Sequence, residues 1–237
     1  MTRRTAVPIN GTLTGLKPKG TLIGVDGSDG AGKSTLVKAM IAQLLSQGAS
    51  VATFQSFVTD RNGYFWETYL AMEKAAAELG EPVMTTAFAQ MLHAYNMICL
   101  ARTDLPSLLA ENDFVIADRY LLARLALARL TTGQPHSEAE MLVVRSAKSG
   151  VMPMPDHTIY LSVDAAEAHR RVVQRGEPTE LRETLPELRR VLTLYNEILE
   201  DPGLRCLLGQ VHNLCSMDST AEELAQQFLS QVYVPAA

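Results

Sequence analysis

Short apolar runs alternate along the chain with longer segments in which apolar residues recur every three or four positions. Uninterrupted apolar runs of about four to eight residues are typical of buried parallel strands, and a 3.6-residue repeat is typical of helices. The runs predict five strands, at 21–26, 50–54, 113–117, 157–163 and 210–214. Because helical segments separate them, the pattern predicts an α/β fold with a parallel five-stranded sheet and helices on both faces.

The intervals between the strands carry the helical repeat. It predicts helices at 35–47, 64–80, 84–103, 121–131, 137–149, 165–176, 184–200 and 221–233. Gly48 is expected to terminate the first helix, because glycine readily takes the left-handed conformation of a C-cap. Asp218 or Ser219 is expected to cap the amino end of the last helix.

Length and turn signals predict one folded domain after a short leader. The chain has 237 residues, which fits one or two domains of about 150 residues, and we interpret residues 21–237 as a single domain. Residues 1–20 are expected to form a loose N-terminal leader, since turn signals occur at 10–11 and 17–20.

Composition and charge exclude several classes of protein. The hydrophobic fraction of 47% and the charged fraction of 20% are those of a globular protein. A net charge of −5 argues against a broad nucleic-acid-binding surface, and no apolar run reaches the roughly 18 residues that span a membrane. Three cysteines without C-x-x-C spacing predict neither disulfides nor structural zinc. We therefore expect a cytoplasmic protein without nucleic-acid or membrane partners.

The stretch from Gly27 to Ser34 matches the phosphate-binding motif G-x-x-x-x-G-K-[ST] in full, between a predicted strand and a predicted helix. Its glycines allow a tight turn that points backbone N–H groups at phosphate oxygens. Lys33 can reach the β- and γ-phosphates, and the Ser34 hydroxyl is the usual Mg²⁺ ligand. The motif predicts binding of ATP and Mg²⁺ by Gly27, Asp29, Gly30, Ala31, Gly32, Lys33, Ser34 and Thr35.

Three landmarks together resemble the thymidylate kinases, a family of P-loop nucleotide kinases. Residues 25–35 are similar to the family's E-G-x-D-G-A-G-K-[ST]-T, with Asp26 in place of glutamate. Asp118-Arg119-Tyr120 is similar to its D-R-Y motif, and 155–163 to its P-D-x-T-x-Y-L-x-V. The resemblance extends over about residues 20–233 and implies a P-loop NTPase fold of the nucleoside monophosphate kinase type.

The resemblance implies roles for residues at the matching positions. Lys33 would hold donor phosphates, and Arg119 would lie between donor and acceptor and neutralise charge on the transferring group. Asp118 would orient Arg119 or reach the Mg²⁺ ion that Ser34 binds. Asp29 would contact the sugar of the acceptor, although an aspartate in a turn is also a common structural residue.

The resemblance also implies a lid that closes over the donor, at about residues 173–186, opened by a motif similar to R-x-x-x-R-G. Family members without an arginine inside the P-loop place one in this lid, and here the P-loop position is Gly30. Arg175 and Arg182 are therefore the candidate catalytic arginines. Arg171 is a further candidate for binding the donor nucleotide.

The acceptor pocket departs from the family pattern L-F-A-x-D-R. His93 stands where the family has the phenylalanine that stacks on thymine, Asn96 where it has aspartate, and Met97 where it has the phosphate-binding arginine. Arg124 follows the D-R-Y motif in an otherwise apolar helix, where it either binds the acceptor or lies on the surface. Arg61 and Arg102 are other possible replacements for the missing arginine.

These departures leave three functions open. The first is an ATP- and Mg²⁺-dependent phosphotransferase that moves the γ-phosphate of ATP to a (deoxy)nucleoside monophosphate or a related nucleotide-like acceptor. The second is a kinase for an unphosphorylated nucleoside or small metabolite, which the methionine at position 97 favours. The third is a non-catalytic regulatory protein that binds nucleotides, against which the intact P-loop and D-R-Y motif speak. Because related kinases are often homodimers, the resemblance also implies a homodimer.

Overall fold

The computed structural model of the protein describes residues 20–55, 71–72, 74–76, 78–80, 85–176 and 183–233. Within these ranges, five strands form one sheet: β1 Thr21–Asp26, β2 Val51–Gln55, β3 Phe114–Asp118, β4 His157–Ser162 and β5 Gln210–Cys215. All the pairings are parallel, and the strand order is β2-β3-β1-β4-β5. The predicted α/β fold is confirmed, and each predicted strand lies within two residues of its observed bounds.

The helices surround this sheet. They are α1 Lys33–Ser46, α2 Thr86–Thr103, α3 Leu105–Glu111, α4 Leu121–Thr132, α5 Glu138–Lys148, α6 Ala165–Gln174, α7 Leu185–Glu200, α8 Pro202–Arg205 and α9 Ala221–Val232. The predicted 64–80 helix is helical at 71–72, 74–76 and 78–79 and is followed by a turn at Gly80, and the rest of that prediction lies outside the described residues. Apart from Gly20, so does the predicted leader.

Two predictions about the helix ends can be checked directly. Gly48 follows α1 with φ of +81°, as predicted for a C-cap glycine. The predicted N-cap of α9 is wrong, because Thr220 occupies that position instead of Asp218 or Ser219. Thr220 and Glu223 exchange side-chain and backbone hydrogen bonds in a capping box, which satisfies two N–H groups rather than one.

The side chains of β1 alternate between two hydrophobic cores. Ile23 and Val25 point into the core under α1 and α9. Leu22 belongs to the opposite core, which α2, α4, α5 and α7 help to build. Since side chains in a strand alternate between faces, Asp26 points towards the same side as Leu22. This places a carboxylate beneath the amino end of α4.

The parallel arrangement brings the carboxyl ends of the strands to one edge of the sheet. Val25 pairs with Asp118 in the β1–β3 register, so the P-loop and the D-R-Y turn leave the sheet side by side. Ligands of α/β folds bind at this edge. In the described part of the chain, no helix has the length and hydropathy needed to cross a bilayer.

Candidate active site

The P-loop connects β1 to α1 and packs tightly against α6. Gly30 has φ of +76°, and a Cβ atom there would lie only 2.2 Å from the backbone oxygen of Ala168. Neither the backbone conformation nor the space accommodates a side chain. An arginine at position 30 of the P-loop is therefore sterically excluded in this chain.

Lys33 lies buried at the start of α1. Its Nζ donates a hydrogen bond to the backbone oxygen of Ser28 at 2.7 Å, so the ammonium group lies against the backbone of the loop. Burial, together with the neighbouring charge of Arg119, lowers the pKa of Lys33 to about 7. An anion arriving in the loop would favour the charged form of this lysine.

Ser34 and Asp118 meet where the P-loop helix passes the end of β3. The Ser34 Oγ donates to Asp118 Oδ2 at 3.3 Å. Asp118 Oδ1 is buried and has no hydrogen-bond partner in the described part of the structure. Hydroxyl and carboxylate oxygens are the ligands that Mg²⁺ prefers, so this pair fits the predicted metal site.

Arg119 is directed at the P-loop by an unusual backbone conformation. Its φ is +61°, in the left-handed region that non-glycine residues rarely adopt. Its guanidinium forms an ion pair with Asp29, which lies in the loop. The structure thus brings together five of the predicted site residues: Lys33, Ser34, Asp118, Arg119 and Asp29.

Arg124 is buried between α4 and α2. Arg124 is only 2% exposed, so the alternative of a surface arginine is wrong. Its guanidinium donates to Gln90 Oε1 at 3.1 Å, and burial lowers its pKa to about 10. Gln90 was missed by the sequence analysis, which treated this turn of α2 only as part of a helix.

The other predicted acceptor residues lie on α2, after Gln90. His93 and Asn96 follow it at three-residue intervals and are both partly buried, so the three side chains follow one face of the helix. Met97 is different, because it is 1% exposed and packs in the core that contains Leu122 and Tyr195. This methionine is a packing residue.

Two buried side chains beside the P-loop have polar contacts that the sequence analysis did not identify. Tyr195 on α7 donates its hydroxyl to the backbone oxygen of Gly27 at 3.1 Å, and burial raises its pKa. Asp26 Oδ1 accepts the backbone N–H groups of Tyr120 at 2.9 Å and Ala123 at 3.2 Å. Burial raises the pKa of Asp26 to about 6. In the sequence, Tyr195 is one position of the apolar helical repeat, and Asp26 is a variant of the glutamate in the family motif.

The described arginines in and just before the predicted lid form contacts within the chain. Arg171 Nη2 donates to the backbone oxygen of Ser216 at 2.8 Å, and Nη1 donates to that of Gly30 at 3.4 Å. Arg175 pairs with Glu183 at 2.5 Å, linking the two described ends of the predicted lid. Arg182 lies outside the described residues.

Arg102, one of the two remaining candidate arginines, lies far from the acceptor candidates on α2. Arg102 is exposed in the last turn of α2, twelve residues beyond Gln90. At about 1.5 Å per residue, that is roughly 18 Å along the helix axis. Arg61 lies outside the described residues.

Comparison with known proteins identifies one family. A family model described as "Thymidylate kinase" matches residues 25–208. A "Probable thymidylate kinase" from Methanospirillum hungatei is 29% identical over 79% of this chain and 84% of its own length. A "Thymidylate kinase" from Xanthomonas euvesicatoria is 30% identical over 79% and 76%. One from Leptospira borgpetersenii is 27% identical over 86% and 91%.

The buried carboxylate of Asp26 predicts a pH-dependent cost in stability. Its pKa rises from 3.8 to about 6 on folding, so ionising it at neutral pH costs the folded state about 3 kcal/mol. Asp26→Asn removes that cost and should raise the free energy of unfolding at pH 7.5 by up to about 3 kcal/mol. Urea denaturation measures the difference.

The sign of the pH dependence follows from which state holds the proton more tightly. Because folded Asp26 binds its proton more tightly than the unfolded chain does, the advantage of Asp26→Asn should shrink to about 1 kcal/mol at pH 4.5. Asp156→Asn is the matched control, since Asp156 accepts the Leu22 N–H at the other end of β1 and is exposed. If the gain in the free energy of unfolding of Asp26→Asn does not change with pH, the raised pKa of Asp26 is contradicted.

Proposed function

Since this chain belongs to the thymidylate kinase family and is a nucleotide kinase, we propose that it transfers the γ-phosphate of ATP, with Mg²⁺, to a (deoxy)nucleoside monophosphate or a closely related nucleotide-like acceptor. The observation that carries this proposal is the meeting of Lys33 and Ser34 with Asp118 and Arg119 at one edge of the sheet. Phosphoryl transfer needs little covalent help from the protein, so such a cluster of positioned charges suits the reaction.

On the donor side, Lys33 and the P-loop N–H groups hold the β- and γ-phosphates beside the positive end of α1. Ser34 and Asp118 hold Mg²⁺, which supplies positive charge to the phosphate oxygens when bound. Arg119 stabilises the negative charge of the transferring group. Asp29 holds Arg119 in the free enzyme and contacts the acceptor sugar in the complex.

The lid contributes the remaining positive charge. We propose that Arg175 and Arg182 reach the phosphates when the lid closes, with Arg175 leaving the carboxylate of Glu183. Arg171 supports the donor nucleotide from α6, where it already contacts the P-loop backbone at Gly30. Closure also excludes water that would otherwise hydrolyse ATP.

On the acceptor side, Arg124 takes the place of the missing phosphate-binding arginine. Its guanidinium carries only hydrogen-bond donors. It therefore suits a substrate group whose oxygens accept hydrogen bonds, such as a phosphate. Gln90 holds it through the 3.1 Å hydrogen bond. His93 and Asn96 complete the pocket from α2, and Asn96 Oδ1 is buried without a hydrogen-bond partner in the described part of the structure.

A second acceptor class is favoured by one observation. Met97 packs in the core, so the position that binds the acceptor phosphate in the family is apolar here. If Arg124 binds another polar group, the substrate is an unphosphorylated nucleoside or small metabolite.

We propose that the protein is a homodimer that assembles through α2. Phe88 and Tyr95 lie seven residues apart on this helix, and they are 51% and 48% exposed. Two helical turns separate them, so both rings project from one face. Exposed aromatic side chains that share a face are typical of interfaces between subunits.

We also propose a cytoplasmic location. The three cysteines are free thiols. Free thiols are stable in a reducing compartment.

The proposed reaction is tested by measuring ADP release from Mg-ATP with nucleoside monophosphates, nucleosides and sugar phosphates, with Lys33→Ala as the blank. A monophosphate is expected to stimulate release strongly, because the pocket presents Arg124 to an anionic group. Stimulation by unphosphorylated acceptors alone would support the second acceptor class. If no compound in the panel stimulates ADP release, both acceptor classes are contradicted.

Arg124→Met is expected to raise the KM of the acceptor by about 10- to 100-fold, as for loss of a hydrogen bond to a charged group. The KM of ATP should change little, because Arg124 lies on the acceptor side. Steady-state kinetics with each substrate varied in turn make the distinction. Arg102→Met is the matched control on α2, and an unchanged acceptor KM in Arg124→Met would remove this residue from the pocket.

The Phe88→Asp/Tyr95→Asp double variant is expected to convert the dimer to a monomer of 25.9 kDa, because two buried carboxylates would oppose each other across the interface. Sedimentation velocity measures the mass in solution. Val173→Asp on α6 is the control, since Val173 is also exposed, at 54%. A wild-type chain that sediments as a monomer would rule out this assembly.

A further inference from the structure

Asp26 caps a helix that begins elsewhere in the chain. The first turn of a helix leaves backbone N–H groups without partners, and a side chain just before the helix usually satisfies them. In α4 the N-cap residue is Tyr120, whose side chain makes no such bond. Asp26 Oδ1 accepts two of these donors instead, the N–H groups of Tyr120 and Ala123. The capping carboxylate therefore comes from the end of β1.

The capped turn is also the turn that aims Arg119. The left-handed conformation of a non-glycine residue costs about 1 to 3 kcal/mol and persists only where its surroundings hold it. Arg119 N donates to the backbone oxygen of Val25 at 3.0 Å, and the next N–H, that of Tyr120, donates to Asp26 Oδ1. Two consecutive residues of β1 thus hold the turn, one through its backbone and one through its side chain.

The burial of Asp26 indicates that capping of α4 alone does not explain why a carboxylate occupies this position. The residue is fully buried, and Oδ2 has no hydrogen-bond partner in the described part of the structure. An exposed serine, threonine or asparagine before the helix would cap α4 at lower cost in desolvation. What the position at the end of β1 adds is a rigid link between the P-loop strand and the turn that carries Arg119.

We propose that Asp26 is a positioning residue for phosphoryl transfer, which locks the left-handed turn at Arg119 by capping α4 from the end of β1. This inference rests on the proposed function, because it assigns Asp26 an effect on the transferring phosphoryl group through Arg119. Asp26 itself touches neither substrate. Its removal lets Arg119 drift, and misplacement of a charged group by about 1 Å costs on the order of 100-fold in rate.

A double-mutant cycle with Arg119 tests the proposal. Three variants are prepared in two backgrounds, one with the native Arg119 and one with Arg119→Ala. The variants are Asp26→Ala, Asp26→Asn and the control Asp156→Asn. In the presence of Arg119, Asp26→Ala should lower kcat about 100-fold and leave the KM of ATP within about threefold. Asp26→Asn keeps Oδ1 as an acceptor and should restore most of the lost kcat. Asp156→Asn should have no effect.

In the Arg119→Ala background, Asp26→Ala should lower kcat by less than about threefold, since the group it positions is already gone. An equal loss in both backgrounds would overturn the proposal and assign Asp26 an independent role. A loss expressed in the KM of ATP, with kcat unchanged, would also overturn it, because it would place Asp26 in donor binding.

Hydrogen exchange of the segment 119–126 gives a readout that needs no activity. Asp26→Ala should speed amide exchange at Tyr120 and Ala123, whereas Asp26→Asn should preserve protection. Unchanged protection in Asp26→Ala would overturn the capping geometry. If the wild type transfers phosphate to no acceptor, the proposed function fails while this measurement still decides whether Asp26 holds the turn.

Discussion

The parallel pairing of β1 with β3, in which Val25 lies opposite Asp118, is the constraint on which the candidate site depends. It brings together the P-loop and the Arg119 turn, although Asp29 and Arg119 are 90 residues apart in the chain. A slip of one residue would turn Asp118 to the other face of the sheet, away from Ser34. The alternation of buried side chains along β1 between two cores fixes the register that prevents this slip.

The site concentrates buried charge that the fold would be more stable without. Asp26, Lys33 and Arg124 are all buried, and burial displaces the pKa of each towards its neutral form. The same exclusion of water would strengthen the attraction of Lys33 and Arg124 for an anion. A site of this kind is organised before the substrate arrives, and stability is the cost.

The features that the sequence predicted correctly are those that local patterns determine. The strands, the P-loop and the C-cap glycine at position 48 each depend on a few neighbouring residues. Helix α3 was missed because it has only seven residues and carries Pro106 in its first turn, where proline resembles a helix breaker although it is favoured there. The contacts of Asp26, Gln90 and Tyr195 depend on which distant elements pack together, and no local pattern contains that information.

The close approach of Gly30 to Ala168 couples the P-loop to α6. An arginine at position 30 requires α6 to withdraw from the P-loop, and α6 leads directly into the predicted lid. Since a side chain at position 30 would collide with the backbone of Ala168, the sequence of the loop and the position of α6 constrain each other. A change at one of them therefore requires a compensating change at the other.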